Sequence, residues 1–162
     1  MEKHPKNEAT AFALKLLALR NHSRFELEEK LRKKGFGKEV TESALRWLSE
    51  RKLIDDETFA RELINAQARR KPEAIGAMRY RLLRRGVSEE IACRLLKELN
   101  NFELCYRAGK KKADRLKEGD KETGKRKLEL FLRNRGFDWQ SIQRTLSRLF
   151  EDEAEKRPGN EP

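Results

Sequence analysis

The sequence predicts an all-α protein, an elongated array of three tandem three-helix repeats. The first observation is a phrase that occurs three times, as LRKKGF at 31–36, LLRRGV at 82–87 and LRNRGF at 132–137. The glycines of these phrases, Gly35, Gly86 and Gly136, are 51 and 50 residues apart. That spacing is about the size of one unit in a stacked helical repeat protein.

Each phrase has the form of a helix end. If Gly35 stands just past the helix, Leu31 and Phe36 are the two residues that touch when a helix closes with a Schellman turn. The other phrases supply a leucine, a glycine and an apolar residue at the same places. The basic residues between them fall in the last turn, where cations complement the helix dipole. We therefore expect three helices that stop at glycines with a left-handed backbone.

The second observation is that apolar residues recur at matching distances from the three glycines. They are Leu27, Met78 and Leu128 before the glycines, and Leu45, Leu96, Leu146, Leu48, Leu99 and Leu149 after them. The pattern predicts a loose N-terminus at 1–8, three-helix repeats at 9–53, 54–100 and 101–150, and an acidic tail at 151–162.

The first repeat opens with ATAFALKLLALR at 9–20, whose alanines on every side predict a buried helix. Ser23 and Glu26 predict a capping box at the start of the second helix, which stops at Gly35. Residues 38–51 carry apolar side chains at helical spacing, so they predict the third helix.

The second repeat follows the same order. The acidic pair Asp55-Asp56 begins its first helix at the positive end of the helix dipole, which explains the pair without a metal. Pro72 ends that helix, residues 73–85 form the next one, and Ser88 caps the third.

In the third repeat, residues 102–117 predict the first helix, and KEGDKETG at 117–124 is interpreted as a connection. The overlapping segment GDKETGKR has the spacing of a phosphate-binding loop, but Arg126 stands where a Ser or Thr must hold magnesium. No strand precedes the segment, so a connection is the better interpretation. A helix over 125–135 and a last helix capped by Asp138 complete the repeat.

Composition limits the class of protein. Only 36% of the residues are apolar and 41% are charged, which suits helices with large solvated faces. The longest apolar run is too short to span a bilayer, and the N-terminus lacks the apolar core of a secretory signal. Two cysteines at unrelated spacing indicate neither a disulfide framework nor a metal site, so we expect a reduced, cytoplasmic protein. Trp47 and Trp139 fall at or beside helical apolar positions, which predicts core packing rather than base stacking.

The charge balance favours a polyanionic partner. The net charge is +11, and basic residues outnumber acidic ones by 11 to 6 in 9–52, by 10 to 8 in 53–100 and by 14 to 7 in 101–150. A solvated helix face explains any single basic residue, but the sum over the third repeat favours a surface for nucleic acid or for a filament on it. The candidate binding residues are Arg32, Lys33, Lys34, Arg84, Arg85, Lys110, Lys111, Lys112, Lys125, Arg126, Lys127, Arg133, Arg135, Arg144 and Arg148.

Three segments carry a family resemblance: ALKLLALRNHSRFELEEKLRKKGF, then LIDDETFAR, then RYRLLRRGV. Their order and spacing resemble the RecX family of bacterial regulatory proteins, over about residues 9–150. Lys71-Pro72 departs from the Lys-Gly pair expected there, a change that alters a loop.

The resemblance implies a regulatory protein that binds RecA recombinase filaments on DNA and inhibits their ATPase and strand-exchange activity. It implies a role in the SOS response, in homologous recombination and in DNA repair. The DNA contact would be independent of sequence and weak by itself, and we expect a monomer with no cofactor. We expect no catalysis either, because the matching residues are not catalytic and neither His4 nor His22 has a nucleophile beside it.

Two alternatives remain open. A DNA-binding transcriptional regulator of the helix-turn-helix type is the first, since a capped helix pair with a short turn resembles that motif. The last helix would be its reading helix, with polar side chains at Gln140, Gln143, Arg144 and Arg148. The second is an RNA-binding helical repeat, although the units lack a repeated pair of base-reading residues.

Overall fold

The computed structural model describes residues 5–116 and 120–155, with side chains from residue 7 to residue 150 outside the gap. All the regular structure in these ranges is α-helical, so the all-α prediction is confirmed. The helices are α1 (Pro5–Leu19), α2 (Arg24–Lys33), α3 (Lys38–Glu50), α4 (Asp56–Arg70), α5 (Ile75–Leu83), α6 (Glu89–Leu96), α7 (Asn101–Ala113), α8 (Lys121–Arg133) and α9 (Trp139–Glu155). None of these described helices has the length and apolarity needed to cross a membrane.

The described residues divide into two compact units. The first contains residues 5–64 and 80–95, and the second contains residues 65–79, 96–116 and 120–155. The division passes through α4 and α5, so each unit combines one complete helical triplet with parts of the helices in the middle of the chain. The repeat boundaries expected from the sequence stay a prediction.

In the first unit, α1, α2 and α3 pack against one another. Their core consists of small and aliphatic side chains: Ala9, Ala13, Leu27, Leu31, Ala44, Leu45 and Leu48. Phe12, Phe36 and Trp47 are partly buried against this core. The alanines of α1 explain the close packing, because a methyl side chain lets two helix backbones approach each other.

In the second unit, α7, α8 and α9 form the corresponding triplet. Its buried residues are Leu104, Cys105, Ala108, Leu128, Leu132, Ile142, Thr145 and Leu146. The helices α7 and α9 approach closely at Gly109, where an added Cβ would lie 2.8 Å from Cγ2 of Thr145. A side chain on residue 109 would therefore push these two helices apart.

The three predicted helix stops are confirmed in full. The backbone angle φ is +98° at Gly35, +78° at Gly86 and +81° at Gly136. The N–H of Phe36 donates to the carbonyl of Leu31 at 3.2 Å, and the N–H of Gly35 donates to the carbonyl of Arg32 at 3.0 Å. Equivalent pairs of bonds close α5 and α8. These are the two hydrogen bonds that define a Schellman turn.

The predicted helix starts are confirmed where a polar side chain caps them. Oγ of Ser23 accepts from the N–H of Glu26 at 3.1 Å, Oγ of Ser88 accepts from the N–H of Ile91 at 3.3 Å, and Oδ1 of Asp138 accepts from the N–H of Ser141 at 2.8 Å. Each bond satisfies one of the N–H groups that the first turn of a helix leaves free.

Two helices begin earlier than the sequence indicated. We expected a connection through residue 124, but α8 begins at Lys121 because Asp120 caps it, accepting from the N–H and the hydroxyl of Thr123 at 2.9 Å each. Similarly, α1 begins at Pro5 rather than at Ala9. The expectations for residues 1–4, 117–119 and 156–162 lie outside the described residues.

Candidate nucleic-acid interface

The predicted basic residues of the first unit lie beside carboxylates or aromatic rings. Arg32 and Lys33, at the end of α2, form ion pairs with Glu29, which lies one turn earlier on the same helix. Nζ of Lys34 lies 5.9 Å from the ring centre of Phe12, and Cζ of Arg84 lies 5.8 Å from that of Tyr80. An exposed pair of opposite charges leaves little net field, so Arg32 and Lys33 offer less to a polyanion than their number implies.

Two further predicted residues, Arg85 and Arg135, are half-buried. They make equivalent hydrogen bonds from the end of one helix to an earlier segment of the chain. Arg85 donates from Nη1 to Glu26 at 3.0 Å, and its carbonyl accepts from Oγ of Ser23 at 2.5 Å. In the second unit, Arg135 donates from Nη1 to the carbonyl of Pro72 at 2.7 Å, and its carbonyl accepts from the N–H of Ala74 at 3.0 Å. Each arginine thus fastens the end of one helix to a segment some 60 residues earlier, which leaves its guanidinium only partly available.

The predicted residues Arg144 and Arg148 lie on α9 and stack on two rings of α7. Cζ of Arg144 is 4.0 Å from the ring centre of Phe102, and Cζ of Arg148 is 4.3 Å from that of Tyr106. The two ring centres are themselves 6.3 Å apart. We call these four residues the stacked-arginine face.

The stacked-arginine face holds two cations in defined positions. An aromatic ring attracts a guanidinium through its negative face. The attraction limits the conformations of a long side chain, so less freedom is lost when the guanidinium then binds a phosphate. A guanidinium has five N–H donors in its plane, and a ring that contacts its face leaves those donors able to bind an anion. Such an arrangement can bind successive phosphates of a nucleic-acid strand.

The other predicted residues of the second unit lie at three places. Cζ of Arg135 and Nζ of Lys112 lie 4.4 Å and 5.6 Å from the ring centre of Phe131. Nζ of Lys111 donates to the carbonyl of Arg69 at 2.9 Å. The remaining residues are exposed, with Lys110 on α7 and Lys125, Arg126, Lys127 and Arg133 on α8. The structure therefore brings only part of the predicted set together, on and beside α7 and α9.

The expectation that Trp139 lies in the core is wrong. Its side chain is 63% exposed at the start of α9, whereas Trp47 is partly buried against the core of the first unit as expected. Trp139 is the first residue of α9, and the buried side of that helix begins at Ile142, which is 0% exposed. Periodicity alone does not distinguish these two situations.

Sequence reasoning also missed Phe102 and Tyr106 as members of the candidate site. A usable signal was present, because both the aromatic pair on α7 and the arginine pair on α9 are four residues apart. Residues four apart lie on the same face of a helix. Two antiparallel or parallel helices with matching pairs can therefore place each cation over one ring.

The acidic pair Asp55-Asp56 acts at helix starts, as expected. Asp55 accepts from the N–H groups of Glu57 and Thr58 and from the hydroxyl of Thr58, and these bonds, the Thr58 hydroxyl first, lower the pKa of Asp55. Asp56 accepts from the N–H of Arg24, the first residue of α2, at 2.8 Å. Both carboxylates line a cleft of about 460 Å³ in the first unit, and the backbone donors there bind Oδ1 of each one.

The helices and the basic face together define a class, an all-helical repeat protein whose conspicuous surface chemistry is cationic. The model for RecX, first three-helix domain, matches residues 9–49. A regulatory protein RecX from Chlorobium limicola is 56% identical over 93% of this chain and 95% of its own length. One from Chlorobaculum tepidum is 41% identical over 95% of this chain and 96% of its own length. The chain belongs to the RecX family of regulatory proteins.

Solved structures extend the likeness to the fold. The crystal structure of RecX from Lactobacillus salivarius matches with a TM-score of 0.72, over 90% of this chain and 96% of that one. At 20% sequence identity this likeness concerns the helical architecture.

Proposed function

We propose that this protein binds RecA recombinase filaments on DNA and inhibits their ATP hydrolysis and strand exchange. It would thereby modulate homologous recombination and DNA repair, as a cytoplasmic monomer without catalytic activity of its own. The observation that carries the proposal is membership of the RecX family, at 56% identity over nearly the whole chain. The family resemblance supplies the recombinase as partner, and the cationic surface supplies a reason for contact with the DNA.

The stacked-arginine face supports the DNA half of this proposal. Arg144 and Arg148 are held over rings of α7, at 4.0 Å and 4.3 Å, rather than beside carboxylates of the described residues. A filament presents many equivalent protomers and phosphates along its length. Several weak contacts made at once raise the overall affinity without one strong contact.

The helix-turn-helix alternative rests on Gln140 and Gln143, which lie on α9 beside the two arginines. Direct reading of bases requires side chains that reach the edges of base pairs in the major groove. Arginines stacked on α7 would first have to leave their rings. Tight binding to one duplex sequence over others would favour this alternative over the filament regulator.

The deciding experiment is recombinase ATP hydrolysis on single-stranded DNA, with this protein added far below one copy per recombinase subunit. Strong inhibition at that ratio is expected, because one bound copy affects a filament of many subunits. A variant with Arg144→Ala and Arg148→Ala should inhibit less, and Arg32→Ala with Lys33→Ala is the matched control because those residues pair with Glu29. Inhibition that begins only when the protein covers the DNA would contradict the proposal.

A further inference from the structure

Trp139 is the large apolar side chain that the second unit leaves most exposed among its described residues, at 63%. Trp47 shows the contrasting case, since it packs against a core and carries the guanidinium of Arg51 at 3.9 Å from its ring centre. A tryptophan that stays in water forgoes a large hydrophobic gain. Tryptophan is also enriched at binding interfaces, so the exposed ring of Trp139 is available to a partner.

The solvent face of α9 contains no acidic residue from Trp139 to Phe150. Its exposed or partly exposed polar residues are Gln140, Ser141, Gln143, Arg144, Ser147 and Arg148. The acidic residues of α9, Glu151, Asp152, Glu153 and Glu155, all follow this stretch. In the helices at the same place in the other repeats the acidic residues begin earlier, because α3 carries Glu39 and Glu42 in its first half and α6 begins with Glu89 and Glu90. The absence of negative charge from this stretch of α9 suits a polyanion.

One carboxylate does stand next to Trp139, that of Asp138, and its bonds are local. Oδ1 accepts from the N–H of Ser141 at 2.8 Å. Oδ2 accepts from the hydroxyl of Ser141 at 2.8 Å and from the side-chain amide of Asn101 at 2.7 Å. Its oxygens are therefore engaged by Ser141 of α9 and Asn101 of α7, which hold the carboxylate at the first turn of α9.

We propose that Trp139 stacks on an unpaired base of single-stranded DNA while Arg144 and Arg148 bind phosphates of the same strand. This inference rests on the proposed function only in taking DNA as a partner. A helix rises 1.5 Å per residue, so the two arginines lie roughly 7 and 13 Å along α9 from the tryptophan. At about 100° per residue, Arg144 and Arg148 lie roughly 140° and 180° around the helix from Trp139, so the strand would cross the exposed side of α9 obliquely, from the ring to the two cations. A stacked ring with nearby cations is the combination that single-strand-binding proteins use.

The chemistry of the face favours a single strand over the other occupants. A duplex hides the faces of its bases, so an exposed indole gains little from it. A tryptophan that anchors a protein partner lies in a patch from which charged residues are depleted, whereas the exposed side of α9 carries two arginines and two glutamines as well as Trp139. The single strand is the occupant that uses the ring and the charges together.

The experiment uses the full chain with Trp47→Phe, which leaves Trp139 as its only tryptophan. Titration with a thymine oligonucleotide of about 20 nucleotides should quench the indole fluorescence, because a stacked base is in direct contact with the ring. A duplex of the same length should quench much less. Equal quenching by both, or none by the single strand, would overturn the proposal.

Affinities of the variants separate stacking from charge. Trp139→Ala should weaken binding to the oligonucleotide by about 5-fold to 100-fold, the usual effect of losing one stacked base, with an unchanged salt dependence. Trp139→Phe should retain most of the affinity. Arg144→Ala and Arg148→Ala should each lower the slope of log K against log salt by about 0.7. Leu130→Ala is the control, since Leu130 is an apolar residue of the same unit that is 55% exposed.

These experiments distinguish failure of the stacking proposal from failure of the proposed function. Normal oligonucleotide binding by Trp139→Ala, with recombinase inhibition intact, sinks the stacking proposal alone. If the wild-type protein does not inhibit the recombinase but Trp139→Ala still abolishes oligonucleotide binding, the proposed function is wrong and the stacking proposal is supported.

Discussion

The first helical triplet, α1–α3, and the last, α7–α9, have the same backbone plan but place their charges differently. In both, the middle helix ends in a Schellman turn with a buried leucine four residues before the glycine, Leu31 in one and Leu132 in the other. In the first triplet, Arg32 and Lys33 pair with Glu29. In the last, arginines of α9 stack on rings of α7 instead.

The comparison teaches that a repeat constrains only a few of its residues. Backbone geometry fixes the glycine, and burial fixes the leucine and the apolar residue after the glycine. The solvent face is free to vary, so two repeats with similar helices can place their cations beside different partners. A count of basic residues overestimates the charge available in the first triplet, because carboxylates on the same helix neutralise part of it.

The largest expected effect tests the shared plan. Leu31→Ala and Leu132→Ala each remove a fully buried side chain from an equivalent position, so each should lower the free energy of unfolding by about 2–5 kcal/mol. Urea denaturation followed by circular dichroism measures both. Leu130→Ala, at an exposed position, should change stability by less than about 0.5 kcal/mol. A large loss for one buried leucine and a negligible loss for the other would break the comparison.

The second prediction concerns the three glycines, which share a conformation but not their surroundings. An added Cβ would meet nothing within 4 Å at Gly35, but at Gly86 it would lie 2.2 Å from Cβ of Phe25. Gly35→Ala should therefore cost only the strain of a left-handed backbone, about 1–2 kcal/mol. Gly86→Ala should cost that and roughly 1–3 kcal/mol more for displacing Phe25. Thermal unfolding of both variants gives the ranking.

A control for the glycine series comes from Gly136. Its added Cβ would lie 3.6 Å from Cβ of Ala74, an ordinary contact, so Gly136→Ala should resemble Gly35→Ala. If Gly86→Ala were no more harmful than the other two, the contact between Phe25 and Gly86 would not carry the energy assigned to it.

The features that the sequence predicted well are those decided within a few residues. The three helix stops depend on a glycine and its immediate neighbours, and the caps at Ser23, Ser88 and Asp138 depend on one side chain and the next turn. The start of α8 was predictable on the same grounds, because Asp120 stands three residues before Thr123. The charged run around it was interpreted as a connection instead.

The features that sequence reasoning missed depend on which helices become neighbours. Stacking of Arg144 on Phe102 requires α7 and α9 to lie side by side. The exposure of Trp139 depends on whether another part of the chain packs over the first turn of α9. The hydrogen bonds of Arg85 and Arg135 connect residues about 60 positions apart. No local pattern identifies these partners.

The third prediction contrasts stacked with paired cations. The double variant Arg144→Ala, Arg148→Ala should lower the slope of log K against log salt for single-stranded DNA by about 1.4, because two phosphate contacts are lost. The double variant Arg32→Ala, Lys33→Ala should change the slope less, since the carboxylate of Glu29 already compensates one of those two charges. Fluorescence anisotropy between about 50 and 200 mM salt measures both slopes. Equal slopes for the two variants would mean that a cation paired with a carboxylate and a cation stacked on a ring contribute equally to DNA binding.

The smallest expected effect is a difference in how stability depends on pH. It arises because different side chains cap the helices of the two triplets. Ser23 caps α2 with a hydroxyl that does not titrate, whereas Asp138 caps α9 with a carboxylate. The N–H of Ser141 is the main cause that lowers the pKa of Asp138 below its ordinary 3.8. The folded state therefore prefers the ionised form, so the stability it contributes is present above about pH 4 and is lost as the pH falls through the lower, folded-state pKa.

Two cap variants measured at pH 7 and at acid pH test this difference. Asp138→Ala should cost about 1 kcal/mol at pH 7, and the cost should shrink towards pH 3 and below because the wild-type carboxyl is then increasingly protonated. Ser23→Ala should lower stability by a similar amount at both pH values. The hydroxyl of Ser23 donates to the carbonyl of Arg85 and accepts from the backbone N–H of Glu26, and none of these groups titrates. A cost for Asp138→Ala that stays constant with pH would show that the helix start, and not the charge of its cap, stabilises α9.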